Sequence, residues 1–240
     1  MLLKYLINMD RKTKIIATVG PSLSSESKIK KIIDAGANVL RINFSHGTLE
    51  DHENVISWAR KSNKQVAIMQ DIQGPKIRTG ISSENTFLEK SKNVTLTNIE
   101  TESNNDIVFI NYENLLRDVN VDDRVFIDDG QIVLKVVEKE NDKLEALTLI
   151  GGELRDNQGV AFPDSNLSVS AITDKDKEHL KFGTEHDVDF VAVSFVRNAS
   201  DVNLVKEIIP KDVKVIAKIE LKTALDNIDE ILDVADGVMV

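Results

Sequence analysis

The chain has 240 residues, of which 41% are hydrophobic and 29% are charged, as is typical of a soluble globular protein with one or two domains. A formal net charge of -10, from 40 acidic and 30 basic residues, argues against a general nucleic-acid-binding protein. The absence of cysteine excludes disulfides and thiolate chemistry, and no apolar run is long enough to cross a membrane. We therefore expect a cytoplasmic protein that binds neither nucleic acid nor membrane, whose start is either Met1 or Met9.

Short apolar runs rich in β-branched residues recur along the chain and predict buried parallel strands. These runs lie at residues 14–19, 38–44, 65–72, 188–195, 214–219 and 237–240. Helical patterns separate most of them, at residues 26–33, 199–209 and 224–234 and after capping-box sequences that begin at Thr48 and Thr173. This alternation predicts βαβ units, arranged either as a doubly wound sheet or as a barrel.

The alternation breaks between about residues 74 and 164. Runs with strand character occupy residues 93–96, 107–112, 124–127, 132–138 and 143–149. Asp129-Gly130, between the third and fourth of these runs, is a strong signal for a hairpin turn. We predict a β-rich domain at residues 75–163, inserted after the third strand of an α/β domain formed by residues 1–74 and 164–240.

Polar residues follow the predicted strands of the α/β domain. Arg41, Asn43 and Ser45 alternate along the second strand and share a face, and Asp71 ends the third strand. In a barrel, polar groups at the carboxyl ends of strands surround the active site. The alternative is that such residues only start loops and cap helices.

Lys218 and Glu220 are two positions apart on the fifth strand and therefore point the same way. A carboxylate binds Mg²⁺ or Mn²⁺, and an ammonium group neutralises a phosphoryl group during its transfer. A structural ion pair explains the same spacing equally well.

Four strings, taken in order, resemble the pyruvate kinase family and cover nearly the whole chain. They are Lys14-Ile-Ile-Ala-Thr-Val-Gly-Pro21, Asn38-Val-Leu-Arg-Ile-Asn-Phe-Ser-His-Gly47, Gly74-Pro-Lys-Ile-Arg-Thr-Gly80 and Ile216-Ala-Lys-Ile-Glu220. The resemblance implies a partial (β/α)8-type barrel of about six strands, with a small β-barrel inserted after the third strand as a lid. It also implies phosphoryl transfer from phosphoenolpyruvate to ADP, giving pyruvate and ATP in glycolysis.

The resemblance assigns roles to individual residues. Arg41 would bind the phosphoryl group of phosphoenolpyruvate, Lys218 would stabilise the transferring phosphoryl, and Glu220 would hold Mg²⁺ or Mn²⁺. A monovalent cation would be bound by Asn43, Ser45, Asp71 and the backbone of Ile72. The nucleotide phosphates would be contacted by His46 and Arg78. A full-length protein would be a homo-oligomer.

One departure from the family pattern concerns the monovalent cation. The usual Asp-Thr-Lys-Gly-Pro-Glu is replaced here by Asp71-Ile-Gln-Gly-Pro-Lys76, so that a lysine stands where the family has an acidic residue. An ammonium group at this point can replace bound K⁺ electrostatically. We therefore expect the K⁺ site to be dispensable.

Two further departures leave the activity of this chain open. Asn157 and Gln158 stand where the family usually has lysines, and this change should weaken the binding of nucleotide phosphates. Residue 240 falls in the predicted sixth strand, before the family's second metal-binding Asp. The alternative function is therefore a non-catalytic half-kinase that binds a phosphorylated ligand or a partner chain. A different barrel enzyme acting on pyruvate or phosphoenolpyruvate ranks last, because it would share the Lys-Ile-Glu pattern but not Arg-Ile-Asn-Phe-Ser-His-Gly.

Overall fold

The structure, a computed structural model, describes residues 12–62, 64–165 and 167–240, so that the two candidate starts, Met1 and Met9, lie outside the described residues. The chain divides into two compact units, one formed by Met1–Gly74 with Ala171–Val240 and the other by Pro75–Ser170. Within the described ranges, no helix is both long enough and apolar enough to span a membrane.

The first unit begins with alternating strands and helices. In chain order these are β1 (Ile16–Val19), α1 (Glu26–Asp34), β2 (Val39–Asn43), α2 (Leu49–Arg60) and β3 (Ala67–Ile72), with one turn of 3₁₀-helix at Pro21–Leu23. The capping box predicted at Thr48 is present, because the Thr48 hydroxyl accepts from the Asp51 N–H while the Asp51 carboxylate accepts from the Thr48 N–H.

The second unit is mostly antiparallel β-structure. Its elements are β4 (Phe87–Leu88), β5 (Asn93–Thr97), β6 (Ile107–Phe109), α3 (Leu115–Asp118), β7 (Arg124–Ile127), β8 (Ile132–Lys139), β9 (Leu144–Ile150), β10 (Gly152–Glu153) and β11 (Val160–Ala161). Six of these strands form one sheet in the order β11-β7-β8-β9-β5-β6, and β4 pairs with β10. The hairpin predicted at Asp129-Gly130 joins β7 to β8. Closure into a small barrel is not clearly confirmed and stays a prediction.

The chain then returns to the first unit. Its elements are α4 (Asp174–Glu185), β12 (Phe190–Val193), α5 (Ala199–Ile208), β13 (Lys214–Lys218), α6 (Lys222–Asp226), α7 (Ile228–Val234) and β14 (Gly237–Met239). The strands form a six-stranded parallel sheet in the order β1-β2-β3-β12-β13-β14, which follows the chain apart from the inserted unit. This arrangement confirms the predicted partial (β/α)8-type barrel of six strands.

The prediction of one continuous helix over residues 224–234 is wrong. The segment is divided at Asn227, which ends α6 and begins α7 with a non-helical φ of -113° and ψ of 22°. The Asn227 side chain donates to the Arg197 carbonyl at 3.0 Å. The side chain makes no hydrogen bond to the first turn of α7, so this contact to a residue 30 positions earlier, which the local pattern does not show, accompanies the break.

The strand β3 is anchored to α4 through two contacts. The fully buried Gln70 side chain donates through Nε2 to the His179 carbonyl at 2.6 Å, and the Gly74 N–H donates to Asp176 Oδ1 at 3.2 Å. A Cβ at Gly183 would lie 2.1 Å from Gln70 Oε1, so a larger residue at this position would displace the buried Gln70 side chain.

Two histidines are buried beside Phe44 in the layer between sheet and helices. The ring centroid of His52 lies 4.2 Å and that of His179 lies 5.1 Å from the ring of Phe44, and each histidine is only 7% exposed. Burial lowers the pKa of both imidazoles from the ordinary value of 6.5. Charge repulsion by His179 lowers the pKa of His52 a little further, and repulsion by Lys175 does the same for His179.

We expect the second capping box to contribute more stability than the first. Asp176 is buried and also binds Gly74, whereas Asp51 is exposed, so Asp176→Ala should cost about 2–3 kcal/mol and Asp51→Ala about 1 kcal/mol. Urea unfolding followed by the fluorescence of Trp58, the only tryptophan and a residue of α2, measures both. Equal midpoints for the two variants would contradict this account.

We also expect the first unit to lose stability in mild acid. Because the folded-state pKa of His52 and His179 is depressed, the unfolded state binds more protons as the pH falls below 6.5, and unfolding becomes more favourable. The slope is at most about 1.4 kcal/mol per pH unit for each proton. Urea midpoints from pH 8 to 5.5 should show this loss, and His52→Phe should make it shallower. A midpoint independent of pH in the unchanged chain rules the effect out.

Candidate active site

The inner face of the parallel sheet changes from apolar to polar along the strands. The buried apolar cluster on this face contains Val39, Ala67, Met69 and Ala192. Because alternate residues of a strand share a face, the residues two positions further along each strand point to the same side. The next positions on that face are Arg41 on β2, Asp71 on β3, Ser194 after β12 and Lys218 on β13. Four neighbouring strands therefore direct polar side chains to one edge of the sheet.

Asp71 lies at the centre of this edge. Its side chain is 2% exposed and contacts two cations, Arg41 and Lys218. The Arg41 guanidinium donates to Oδ2 through Nε at 2.7 Å, with Nη2 2.5 Å from the same oxygen, and Lys218 Nζ lies 3.4 Å from Oδ1. A carboxylate this deeply buried requires such partners, because an unpaired buried charge is costly.

Lys218 contacts three acceptors, which matches the three donors of an ammonium group. Besides Asp71, its Nζ donates to Ser194 Oγ at 2.9 Å and lies 3.1 Å from Glu220 Oε1. Glu220 is more accessible, with a side chain that is 34% exposed, and its Oε2 accepts from the Phe195 N–H at 3.0 Å. The ion pair considered from the spacing of Lys218 and Glu220 is therefore present, as one part of a larger cluster.

Three members of this cluster have no role in the sequence prediction. Thr18 Oγ1, on β1, accepts from Arg41 Nη1 at 2.9 Å, so the guanidinium spans Thr18 and Asp71. Ser194 and the backbone of Phe195 contact Lys218 and Glu220. The only sequence signal for Ser194 is its place at the end of a strand, and Thr18 has none, because its partner is 23 positions away along the chain.

The four residues predicted to bind a monovalent cation are neighbours in the structure. Asn43 on β2 is paired with Asp71 on β3, and Ile72 follows. Asn43 Oδ1 accepts from the Ser45 N–H at 3.0 Å, and the Ile72 carbonyl accepts from the Ser194 hydroxyl at 2.7 Å. The Asn43 side-chain oxygen, the Ile72 carbonyl and the Asp71 carboxylate, which a monovalent cation would need as ligands, thus already accept hydrogen bonds or contact protein cations.

A divalent ion fits this edge only with ligands in addition to its carboxylates. In residues 12–62, 64–165 and 167–240, no three His, Asp or Glu side chains come together as a metal site. Asp71 is already bound to two cations, which leaves Glu220 as the accessible carboxylate. Mg²⁺ usually combines one or two carboxylates with water and substrate phosphate, so Glu220 suits one position of such a site.

Of the predicted nucleotide contacts, His46 lies in the first unit and Arg78 in the second unit, which also contains Lys76. His46 is exposed in the first unit, and its N–H donates to the Asn43 carbonyl at 3.3 Å. In the second unit Lys76 is exposed, and Arg78 donates through Nη1 to the Asn157 carbonyl while its Nε is buried without a partner. Their roles stay predictions.

Comparison with known proteins places the chain among members of one family. The family description "Pyruvate kinase, barrel domain" matches residues 10–240. The chain is 44% identical to a pyruvate kinase of Thermotoga maritima over 238 residues, covering 96% of this chain and 51% of that relative. Its identity to pyruvate kinases of Staphylococcus aureus and Staphylococcus epidermidis is 42% and 40%, over 96% of this chain and 41% of each relative.

The chain thus spans about half the length of the curated relatives it matches. The match nevertheless includes nearly all of the residues described above, from β1 to β14. The chain belongs to the pyruvate kinase family.

Proposed function

We propose that the protein carrying this chain transfers the phosphoryl group of phosphoenolpyruvate to ADP, giving pyruvate and ATP in glycolysis. The observation that supports the proposal most strongly is the position of Lys218, held between Asp71, Ser194 and Glu220 at the carboxyl edge of the sheet. Because the chain spans about half of its relatives, the complete activity is proposed for the whole protein.

The chemistry requires positioning and neutralisation of charge. The bond between phosphorus and the enol oxygen breaks, a bond to the terminal oxygen of ADP forms, and the released enolate takes up a proton. Negative charge spreads over the phosphoryl oxygens during transfer. Arg41, whose side chain is 23% exposed, would bind the phosphoryl group, and Lys218 would neutralise its developing charge.

Glu220 would hold Mg²⁺ or Mn²⁺, which when bound neutralises phosphate charge and orients the two substrates. Its accessible carboxylate supports this assignment. His46 and Arg78 would contact the phosphates of ADP or ATP. Asn157 and Gln158, which replace the family's usual lysines in the second unit, would make that binding weaker.

The monovalent-cation site of Asn43, Ser45, Asp71 and Ile72 would be dispensable. The negative charge of Asp71 already faces Arg41 and Lys218, which supports this proposal. Lys76 would supply the further positive charge that K⁺ provides in other members of the family.

A second candidate is a non-catalytic half-kinase that binds a phosphorylated ligand or a partner chain. Apolar side chains are exposed near and on the two outer strands of the sheet, where a partner chain of such a half-kinase would bind. Ile15 and Ile16 at β1 are 44% and 48% exposed, and Val238 on β14 is 41% exposed. Surface of this kind is typical of contact with another chain or segment.

The surroundings of the protein follow from the proposed reaction. We place it in the cytoplasm, where glycolytic substrates occur, acting on small phosphorylated molecules rather than on nucleic acid or membrane. The full-length protein would be a homo-oligomer.

Lys218→Met should separate the two candidates. If the protein is a kinase, loss of the ammonium should lower kcat by about 10²- to 10³-fold, because charge stabilisation in the transition state is lost. Lactate dehydrogenase coupled to pyruvate formation measures the rate. Lys222→Met, at an exposed position at the start of α6, is the matched control and should leave the rate unchanged. Absence of turnover in the unchanged full-length protein would favour the non-catalytic candidate.

Pyruvate formation should show little dependence on K⁺. Rates measured at equal ionic strength in KCl, NaCl and choline chloride should be similar, because protein cations supply the charge. Lys76→Glu should restore a specific requirement for K⁺. A large activation of the unchanged protein by K⁺ over Na⁺ and choline would disprove the assignment of Lys76.

A further inference from the structure

Two successive residues that follow β12 contact Lys218, at the end of the neighbouring strand β13, and Glu220, two positions beyond it. The Ser194 hydroxyl binds Lys218, and the Phe195 backbone N–H binds Glu220. We propose that Ser194 and Phe195 are positioning residues that set the places of the Lys218 ammonium and the Glu220 carboxylate. This inference rests on the proposed function for its catalytic meaning, whereas the contacts themselves can be tested without it.

The direction of the Ser194 hydrogen bonds follows from the chemistry of its partners. The Ile72 carbonyl can only accept, and the Lys218 ammonium can only donate. The single hydroxyl hydrogen must therefore point to the Ile72 oxygen, 2.7 Å away, and a lone pair faces Lys218 Nζ at 2.9 Å. Such a chain of hydrogen bonds polarises its members and orients the hydroxyl as an acceptor for the ammonium.

Ser194 differs from the other acceptors of Lys218 because it carries no charge. Asp71 and Glu220 are carboxylates that can change partners when an anion or a metal ion arrives. Ser194 is 4% exposed, and its hydroxyl is held by a backbone carbonyl. It can thus keep Lys218 in place while the charged contacts rearrange.

Phe195 presents its N–H to Glu220 through an unusual backbone conformation. Its φ is 55°, in the left-handed region that residues with bulky side chains rarely adopt. This conformation accompanies a hydrogen bond of 3.0 Å from the N–H to Glu220 Oε2, while Glu220 Oε1 faces Lys218. Uncommon backbone conformations tend to persist where the surrounding structure requires them, often at functional sites.

Gly74 provides the space for this conformation. Gly74 has a φ of 69°, and a Cβ placed there would lie 3.1 Å from Phe195 Cδ2 and 3.4 Å from Ser194 Cβ. The Gly74 N–H is itself held by the buried Asp176. The exit of β3 and the end of β12 are thus packed together within the first unit.

The Phe195 contact is tested by hydrogen exchange of its amide in the full chain, measured by NMR. Glu220→Ala removes the acceptor and should speed exchange at Phe195 by about tenfold or more, as expected for loss of a hydrogen bond to a charged group. Glu207→Ala, at an exposed acidic position near the carboxyl end of α5, is the control and should leave that rate unchanged. An unchanged rate in Glu220→Ala would overturn the Phe195 assignment, whether or not the protein is a kinase.

The Ser194 contact is tested by exchange of the Lys218 ammonium protons, observed by ¹⁵N NMR of the side chain. Ser194→Ala should speed this exchange severalfold, and Ser194→Thr, which keeps the hydroxyl, should restore it toward the original rate. Equal rates in the unchanged protein and Ser194→Ala would overturn the Ser194 assignment.

Titration with Mn²⁺ alone, followed by electron paramagnetic resonance, tests the consequence for Glu220. Phe195→Asn and Phe195→Val both remove the ring, but asparagine tolerates a left-handed φ and the β-branched valine does not. The Val variant should bind Mn²⁺ more weakly than the Asn variant, and equal affinities would count against the backbone role. If the unchanged full-length protein does not bind Mn²⁺, the proposed metal role of Glu220 fails, and the exchange measurements still decide the positioning.

Discussion

The buried carboxylate of Asp71 is the charge on which the carboxyl edge of the parallel sheet depends. It joins Arg41 from β2 and Lys218 from β13 across β3 and β12, while its own side chain is 2% exposed. Removing one member of a buried ion cluster commonly costs about 3–5 kcal/mol, because the remaining charges lose their compensation. Each charged member of the cluster therefore depends on the others for its compensation.

The proposed reaction would bring an anion to the same arrangement. Two cations, Arg41 and Lys218, share two carboxylates, Asp71 and Glu220, so the local charge is balanced. An arriving phosphoryl group would compete with Asp71 for both cations, and a divalent ion would compete with Lys218 for Glu220. During such an exchange the uncharged contacts from Thr18 to Arg41 and from Ser194 to Lys218 could remain in place.

The helices outside the sheet support this edge from the other side. Gln70 and Gly74, which flank Asp71 on the chain, are both bonded to α4. The close approach of that helix depends on Gly183, whose missing side chain leaves room for Gln70. The position of the central carboxylate is thus connected to the packing of a helix that contributes no residue to the proposed chemistry.

The amino-acid sequence by itself determined the alternation of strands and helices, the place of the insertion, the two capping boxes and the choice of Arg41, Asp71, Lys218 and Glu220 as candidates. These features depend on local periods and on short strings, which are readable without knowledge of which strands are neighbours. The two-residue strands β4, β10 and β11 and the break at Asn227 escaped prediction, because they carry little periodic signal and depend on distant partners. Only the tertiary structure decided that Thr18, Ser194 and the Phe195 amide hold the charged side chains, because each of those hydrogen bonds joins residues more than twenty positions apart that meet across neighbouring strands.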